Sequence, residues 1–274
     1  MRRVLRALKV LIAGGAAVTL EACGLIAPAV QGDVFDEIVI AHRSGAAVKF
    51  GEGTMLSYQD SVANDADILD GDINWTKDGT IIIIHNSTLD RITNCSGKVS
   101  DWLWTSIRDN CLTDVGKQPL VRLQDLVAYA NSVGKKLAIE LKQSTITNAQ
   151  AKQLWNTIKS SNIQLEAPLS RLAGALDKVK ALDQADPDHE IKYGLVRVSS
   201  PWPSVSTVKS VGTYFHAGLS ISKSQVSTYQ ANGIEVFMFT GKNEDDYATM
   251  ASRNPYGVVV DDLERFQKWR KQQT

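Results

Sequence analysis

Seven side chains suited to chemistry on an anionic substrate fall at the ends of short apolar runs: His42 and Arg43, Asp70 and Asp72, His85, and Glu140 with Lys142. Asp70, Asp72 and Glu140 offer only oxygen donors, the set expected for a hard divalent cation, Mg²⁺ or Ca²⁺, rather than zinc. The alternative is a salt-bridge network in which Arg43 and Lys142 neutralise the acids with no metal. Imidazole titrates near neutral pH, so His42 and His85 beside such a cluster could act as a general acid and base pair. Arg43 and Lys142 supply fixed positive charge for an anionic group such as a phosphate, or serve as counter-ions to the acids. His189 and His216 have no such company and read as structural or surface residues.

The elements that must carry these residues follow from the apolar pattern. In the run Leu137 to Lys142, strand alternation sends Ile139 and Leu141 one way and Glu140 and Lys142 the other, so two ionisable side chains share a face of an otherwise apolar strand. Burying them unpartnered would cost several kcal/mol each, which argues that they coordinate something or pair. Candidate strands lie at 37–42, 68–73, 81–85, 137–142, 163–168, 192–198, 213–217, 234–240 and 257–261. Candidate helices lie at 55–64, 122–132, 147–160, 170–182, 222–231, 243–252 and 262–272. This alternation predicts βα units around a parallel sheet. The short gap between 68–73 and 81–85 is too small for a parallel crossover and predicts an antiparallel hairpin. Asp78-Gly79 reads as its two-residue turn, a register that sets Asp72 opposite His85. With that hairpin and the loop after it taken as an insertion behind the second strand, eight strands remain for a (β/α)₈ TIM barrel. Its site is then expected at the C-terminal strand ends, where the seven residues stand.

Length and composition agree. The 274 residues, 43% hydrophobic and 22% charged, suffice for one large core and exclude disorder, collagen and coiled coil. Thirty basic against thirty acidic residues give a formal net charge of zero, with no electrostatic footprint for nucleic acid, so a small molecule is the expected partner. Arg2, Arg3, Arg6 and Lys9 precede an apolar run from Val10 to Leu20, the order of a secretory signal over 1–22, with a linker over 23–35 and the barrel over 36–274. That run is too short to span a bilayer. Leu20-Glu21-Ala22-Cys23 resembles a bacterial lipoprotein box, and Ala27-Pro28-Ala29 offers a competing cleavage site. The expected location is therefore outside the cell membrane, either anchored by a lipid on Cys23 or secreted, with no other membrane contact. Removal of 1–22 leaves 26 basic and 29 acidic residues, a mildly acidic protein. Cys95 and Cys111 are left as a candidate disulfide in that oxidising space, the alternative being two free buried thiols.

At motif level the chain resembles the glycerophosphodiester phosphodiesterase family of metal-dependent TIM barrels. Ile40-Ala41-His42-Arg43 is similar to the family's opening His-Arg-Gly strand, and Glu52-Gly53-Thr54 to its Glu-Asn-Thr motif. Asp70-Gly71-Asp72, Thr76-Lys77-Asp78-Gly79 and His85 resemble its Glu-x-Asp, Thr-Lys-Asp-Gly and His-Asp series, continued by Thr88-Leu89-Asp90-Arg91 and Ile139-Glu140-Leu141-Lys142. Gly233, Phe239-Thr240 and Gly257 to Asp261 resemble the closing strands. The resemblance implies metal-dependent hydrolysis of a small-molecule phosphodiester to sn-glycerol 3-phosphate and an alcohol. His42 and His85 would be the acid and base, and Asp70, Asp72 and Glu140 the ligands of Mg²⁺ or Ca²⁺. Arg43 and Lys142 would hold the phosphate, Phe239 would form an apolar wall, and Glu52 would stand behind the ligands. The chain departs from the pattern at Asp70 in place of Glu, Asn86 in place of Asp, Ser44 in place of Gly and Phe239 in place of Trp. Two other readings remain open: a catalytically silent barrel that binds phospholipid headgroups or wall polymers, and a phospholipase D-like enzyme on intact lipids.

Overall fold

The computed structural model describes residues 37–44, 49–159, 165–170, 173–186 and 191–273, with backbone only for 165–169 and 173. The predicted signal, the linker, Cys23 and His189 lie outside the described residues. Eight strands run parallel: β1 (Ile38–Ala41), β2 (Ile68–Trp75), β4 (Lys136–Leu141), β5 (Leu165–Ser170), β6 (Gly194–Arg197), β7 (Tyr214–Gly218), β8 (Glu235–Gly241) and β9 (Gly257–Val260). The ninth, β3 (Ile81–Ile83), joins antiparallel to β2. β1 pairs with both β2 and β9, which closes the sheet into an α/β barrel with the expected hairpin after its second strand.

Helices follow the strands: α1 (Met55–Ala63), α2 (Trp104–Asn110), α3 (Leu123–Ser132), α4 (Asn148–Lys159), α5 (Asp177–Gln184), α6 (Val205–Val211), α7 (Lys223–Ala231), α8 (Glu244–Arg253) and α9 (Leu263–Lys271). Their starts are written in polar caps. Ser222 and Gln225 form a reciprocal capping box on α7, Asn243 accepts from the Asp246 N–H on α8, and Asp262 accepts from the Arg265 N–H on α9. Two short helices, α2 and α6, are absent from the sequence expectation. In α6 the Val-, Ser- and Thr-rich stretch has low intrinsic helix propensity, and it is the Ser204 cap and burial of Val208 and Val211 that make it helical. Among the described residues no helix is long and apolar enough to cross a membrane.

The hairpin register differs from the expectation. Ile73 opposes Ile83 and Trp75 opposes Ile81, so the loop holds three residues, Lys77 to Gly79, instead of two. The Thr76 N–H donates to Thr80 O at 2.9 Å, the Gly79 N–H closes a turn onto Thr76 O at 3.0 Å, and Gly79 sits at φ +80°. The Thr76 hydroxyl fixes this turn by donating to Asp78 and accepting from the Thr80 N–H. Asp72 therefore faces Ile84, whose N–H donates to Asp72 O, and His85 is not its cross-strand partner.

Between β3 and α3 the insertion builds a small core of its own. Ile82, Ile84, Leu89, Trp104 and Ile107 pack with Cys111, which is bonded to Cys95 across 16 residues. The candidate disulfide is present.

Candidate functional site

Strand alternation sorts the barrel into an outer core and a lumen. The outer core includes Val39, Leu69, Leu137, Ile139 and Leu141 together with helix residues such as Leu126, Leu154 and Phe266. The lumen cluster takes one residue from each of seven strands: Ile40, Ile68, Ala138, Val196, Tyr214, Phe237 and Val259. Two positions further along the chain stand Asp70, Glu140, His216 and Phe239, on the same face of their strands, and His42, Val198 and Asp261, each just past the C-terminal end of its strand. All seven line one cavity of about 410 Å³. The apolar layer is its floor, and the chemistry stands one step above it.

His42 Nδ1 lies 2.5 Å from Asp261 Oδ1. A carboxylate can only accept, so Nδ1 carries the proton and Nε2 is left for transfer. Burial acts against a charged His42 ring, but the Asp261 hydrogen bond and the charges of Asp70 and Asp261 outweigh it and raise its pKa above the usual value. The same segment holds Arg43 and Ser44 at φ 49° and 77°, where glycine is the favoured residue. The turn is fastened by the Arg43 N–H donating to Asp70 Oδ2 at 3.0 Å and by Ser44 Oγ, 2.5 Å from Ser57 Oγ.

The acids and cations form one network. Lys142 Nζ bridges Asp72 Oδ1 at 2.8 Å and Glu140 Oε1 at 2.7 Å, while the Arg43 guanidinium lies 3.3 Å from Asp72 and 3.4 Å from Glu52. Burial alone would raise the Asp72 pKa, but Lys142, His85 and Arg43 together hold it below the usual carboxylate range. Asp70 is the opposite case: burial and the neighbouring charge of Asp72 push its carboxyl up to about 7. Among the described residues no three His, Cys, Asp or Glu side chains stand in a metal-ligating group. The three predicted ligands meet in one site, with Lys142 between two of them.

His85 is half-buried and is not among the cavity-lining residues. It lies within electrostatic reach of Asp72, Lys142 and Arg43, and burial lowers its pKa. The chain leaves β3 before His85, so alternation does not place it. Asn74 does, by donating from Nδ2 to the carbonyls of Ile84 and Asn86 at 2.8 and 3.2 Å. His85 Nδ1 is 2.8 Å from Asn86 Oδ1, and the same oxygen accepts from Arg91 Nε at 2.7 Å. Arg91 also pairs with buried Glu52. Gly53, at φ +70°, lets this loop pass Ile83, whose carbonyl oxygen would lie 2.6 Å from an added Cβ.

The predicted residues His42, Arg43, Asp70, Glu140, Lys142, Phe239 and Glu52 thus line the cavity together, with Asp72 packed behind them. His216, read from the sequence as structural or surface, is buried in the cavity wall with its ring centroid 5.0 Å from Phe237 and 6.5 Å from Phe239. Its company comes from other strands, which sequence neighbours do not reveal. Asp261, Arg91 and Lys242 also line the cavity and are not assigned roles by the sequence reading. The two-residue step from the lumen layer would have found His216 and Asp261.

A family model described as the glycerophosphoryl diester phosphodiesterase family matches residues 42–265. The protein YqiK of Bacillus subtilis is 31% identical over 141 residues, 48% of this chain and 56% of that one. A glycerophosphodiester phosphodiesterase of Caldanaerobacter subterraneus is 25% identical over 237 residues, 83% of this chain and 95% of the relative. The solved structure of an Oleispira antarctica phosphodiesterase in complex with the product sn-glycerol-3-phosphate superposes with a TM-score of 0.76 at 20% identity, covering 85% of this chain and 96% of that one.

Proposed function

The chain belongs to the glycerophosphoryl diester phosphodiesterase family of phosphoric diester hydrolases, and from that premise we propose that it cleaves glycerophosphodiesters to sn-glycerol 3-phosphate and an alcohol by histidine acid-base catalysis. The observation that carries this reading is the His42–Asp261 pair lining a cavity that also presents Arg43 and Lys142, with His85 within electrostatic reach of both cations. The two histidines are tuned apart. Asp261 favours the protonated ring at His42, whereas burial favours the neutral ring at His85. Such separation supports a division of roles: His85 takes the proton of the neighbouring glycerol hydroxyl as its oxygen bonds to phosphorus, and His42 protonates the leaving alcohol oxygen as that P–O bond breaks. Water then opens the resulting cyclic phosphate to sn-glycerol 3-phosphate with the two histidines in exchanged roles. Arg43 and Lys142 hold the phosphate oxygens, and Phe239 supplies an apolar wall.

The donor set suits a hard divalent cation. Asp70, Asp72 and Glu140 are all-oxygen, and burial with the neighbouring charge of Asp72 raises the Asp70 pKa, a cost that a bound cation would offset. These three residues would hold Mg²⁺ or Ca²⁺, which supplies neutralisation of charge on the phosphoryl oxygens. The disulfide suits an oxidising compartment and supports export, and the box at Cys23 supports a lipid anchor. A mass spectrum of the exported protein with an unmodified Cys23 would remove the anchor.

The test is release of glycerol phosphate from a panel of glycerophosphodiesters with Mg²⁺, with Ca²⁺ and with chelator. Release abolished by chelator, and lowered at least ~100-fold by His42→Ala or His85→Ala, is the expected result. Ligand binding without release under any condition would make the protein a binder.

A further inference from the structure

Asn86 poses a problem that a carboxylate would not. A carboxylate has only acceptor atoms, so beside a histidine it fixes the tautomer unaided, whereas an amide has one acceptor end and one donor end and can present either. The geometry around Asn86 removes that freedom. Its Oδ1 receives Arg91 Nε at 2.7 Å, and arginine has donors only. The amide oxygen is therefore the atom turned toward Arg91, and His85 Nδ1, 2.8 Å from this oxygen, must be the donor. Arg91 is held in turn by Glu52, which is buried and also receives Arg43.

We propose that Arg91 is a positioning residue that acts through the Asn86 amide to hold His85 in the Nδ1–H tautomer, leaving Nε2 as the bare nitrogen. Arg91 and Asn86 together then do what a single carboxylate beside the ring would do. The consequence for catalysis rests on the reading of His85 as proton acceptor, because only an unprotonated Nε2 can take a proton on the side away from Asn86.

The test uses the whole protein with ¹⁵N-labelled histidine, the His85 signals being assigned by their loss in His85→Gln, at a pH where the ring is neutral. The expected wild-type signals are those of protonated Nδ1 and bare Nε2. In Arg91→Met the two tautomers should mix, and adding Asn86→Asp should restore the first. With glycerophosphocholine as substrate, Arg91→Met should lower kcat by ~10–100-fold, the scale of an outer partner that orients a histidine, with a smaller change in KM. In the Asn86→Asp background the same substitution should cost only a few-fold. Equal losses in both backgrounds, or a loss confined to KM, would mean that Arg91 contacts substrate or merely braces the loop, and would overturn the proposal. A wild-type His85 protonated at Nε2 would overturn it whether or not Arg91→Met folds. Wild-type protein that hydrolyses no diester would sink the proposed activity instead, and the tautomer measurement would still decide this point.

Discussion

His42 sits two positions beyond the lumen residue Ile40 and meets a carboxylate that the chain delivers 219 residues later. Such a partner fixes the tautomer and stabilises the imidazolium, so under the proposed acid role of His42 its value is catalytic more than structural. Asp261→Asn should keep the fold, judged by unchanged circular dichroism, and lower kcat by ~100-fold or more. It should also move the alkaline limb of the pH profile to lower pH, since the loss of a carboxylate that raises the His42 pKa lets the ring deprotonate earlier. An unmoved limb would take His42 out of the acid role. His216 is the contrasting histidine. Burial, with the nearby charge of His42, pushes its pKa down to about 3 from an ordinary 6.5. The unfolded chain then binds a proton that the folded one does not, so stability falls as pH drops from 6.5 toward 3. At pH 5.5 this costs about 1 kcal/mol relative to neutral pH. His216→Phe should lose that share of the acid sensitivity, measured as the change in urea midpoint between pH 7.5 and 5.5.

Among the elements, the hairpin and its insertion stand apart because they are not part of the repeating βα plan yet carry His85, Asn86 and Arg91. Their placement was only partly legible. Asp78-Gly79 announces a turn, but the third loop residue is decided by the Thr76 hydroxyl and by Gly79 in the left-handed region, and that one-residue shift undoes the expected Asp72–His85 pairing. The clamp from Asn74 joins residues that no spacing rule connects. By contrast Glu140 and Lys142 were readable from alternation alone, because two charges on one face of an apolar strand have few places to go. The insertion's own core is small, so the Cys95–Cys111 bond should matter to it. Cys95→Ala with Cys111→Ala should destabilise the protein by about 3 kcal/mol on the chain-entropy account. Because the insertion holds Arg91 and Asn86, the variant should also lose activity before the barrel melts. A melting curve that falls while activity at low temperature is unchanged would show that the disulfide steadies the insertion without serving the site.

For the molecule as a whole, the barrel was legible because eight apolar runs separated by amphipathic stretches admit few closed arrangements, and the sites at their ends inherit a common side. Closure places Asp70 from β2 and Glu140 from β4 in one cavity with His42, just after β1, and Asp261, just after β9. A cation held there, as proposed, would tie the stability of the entire barrel to that site, since it would bind the folded chain and not the unfolded one. At a hundred times its dissociation constant, Mg²⁺ or Ca²⁺ should add about 2.7 kcal/mol, which for a domain of this size raises the melting temperature by roughly 5–10 °C. Asp70→Asn should abolish that rise. The same substitution removes a carboxyl whose ionisation is costly in the folded state, so the metal-free variant should melt no lower than the metal-free wild type at pH 8, where Asp70 is charged. A variant that keeps the cation-dependent rise would place the ion elsewhere. No rise in the wild type, with diester hydrolysis intact, would leave Arg43 and Lys142 as the positive charge on the phosphate and make the bridging ammonium of Lys142 the working arrangement of the site.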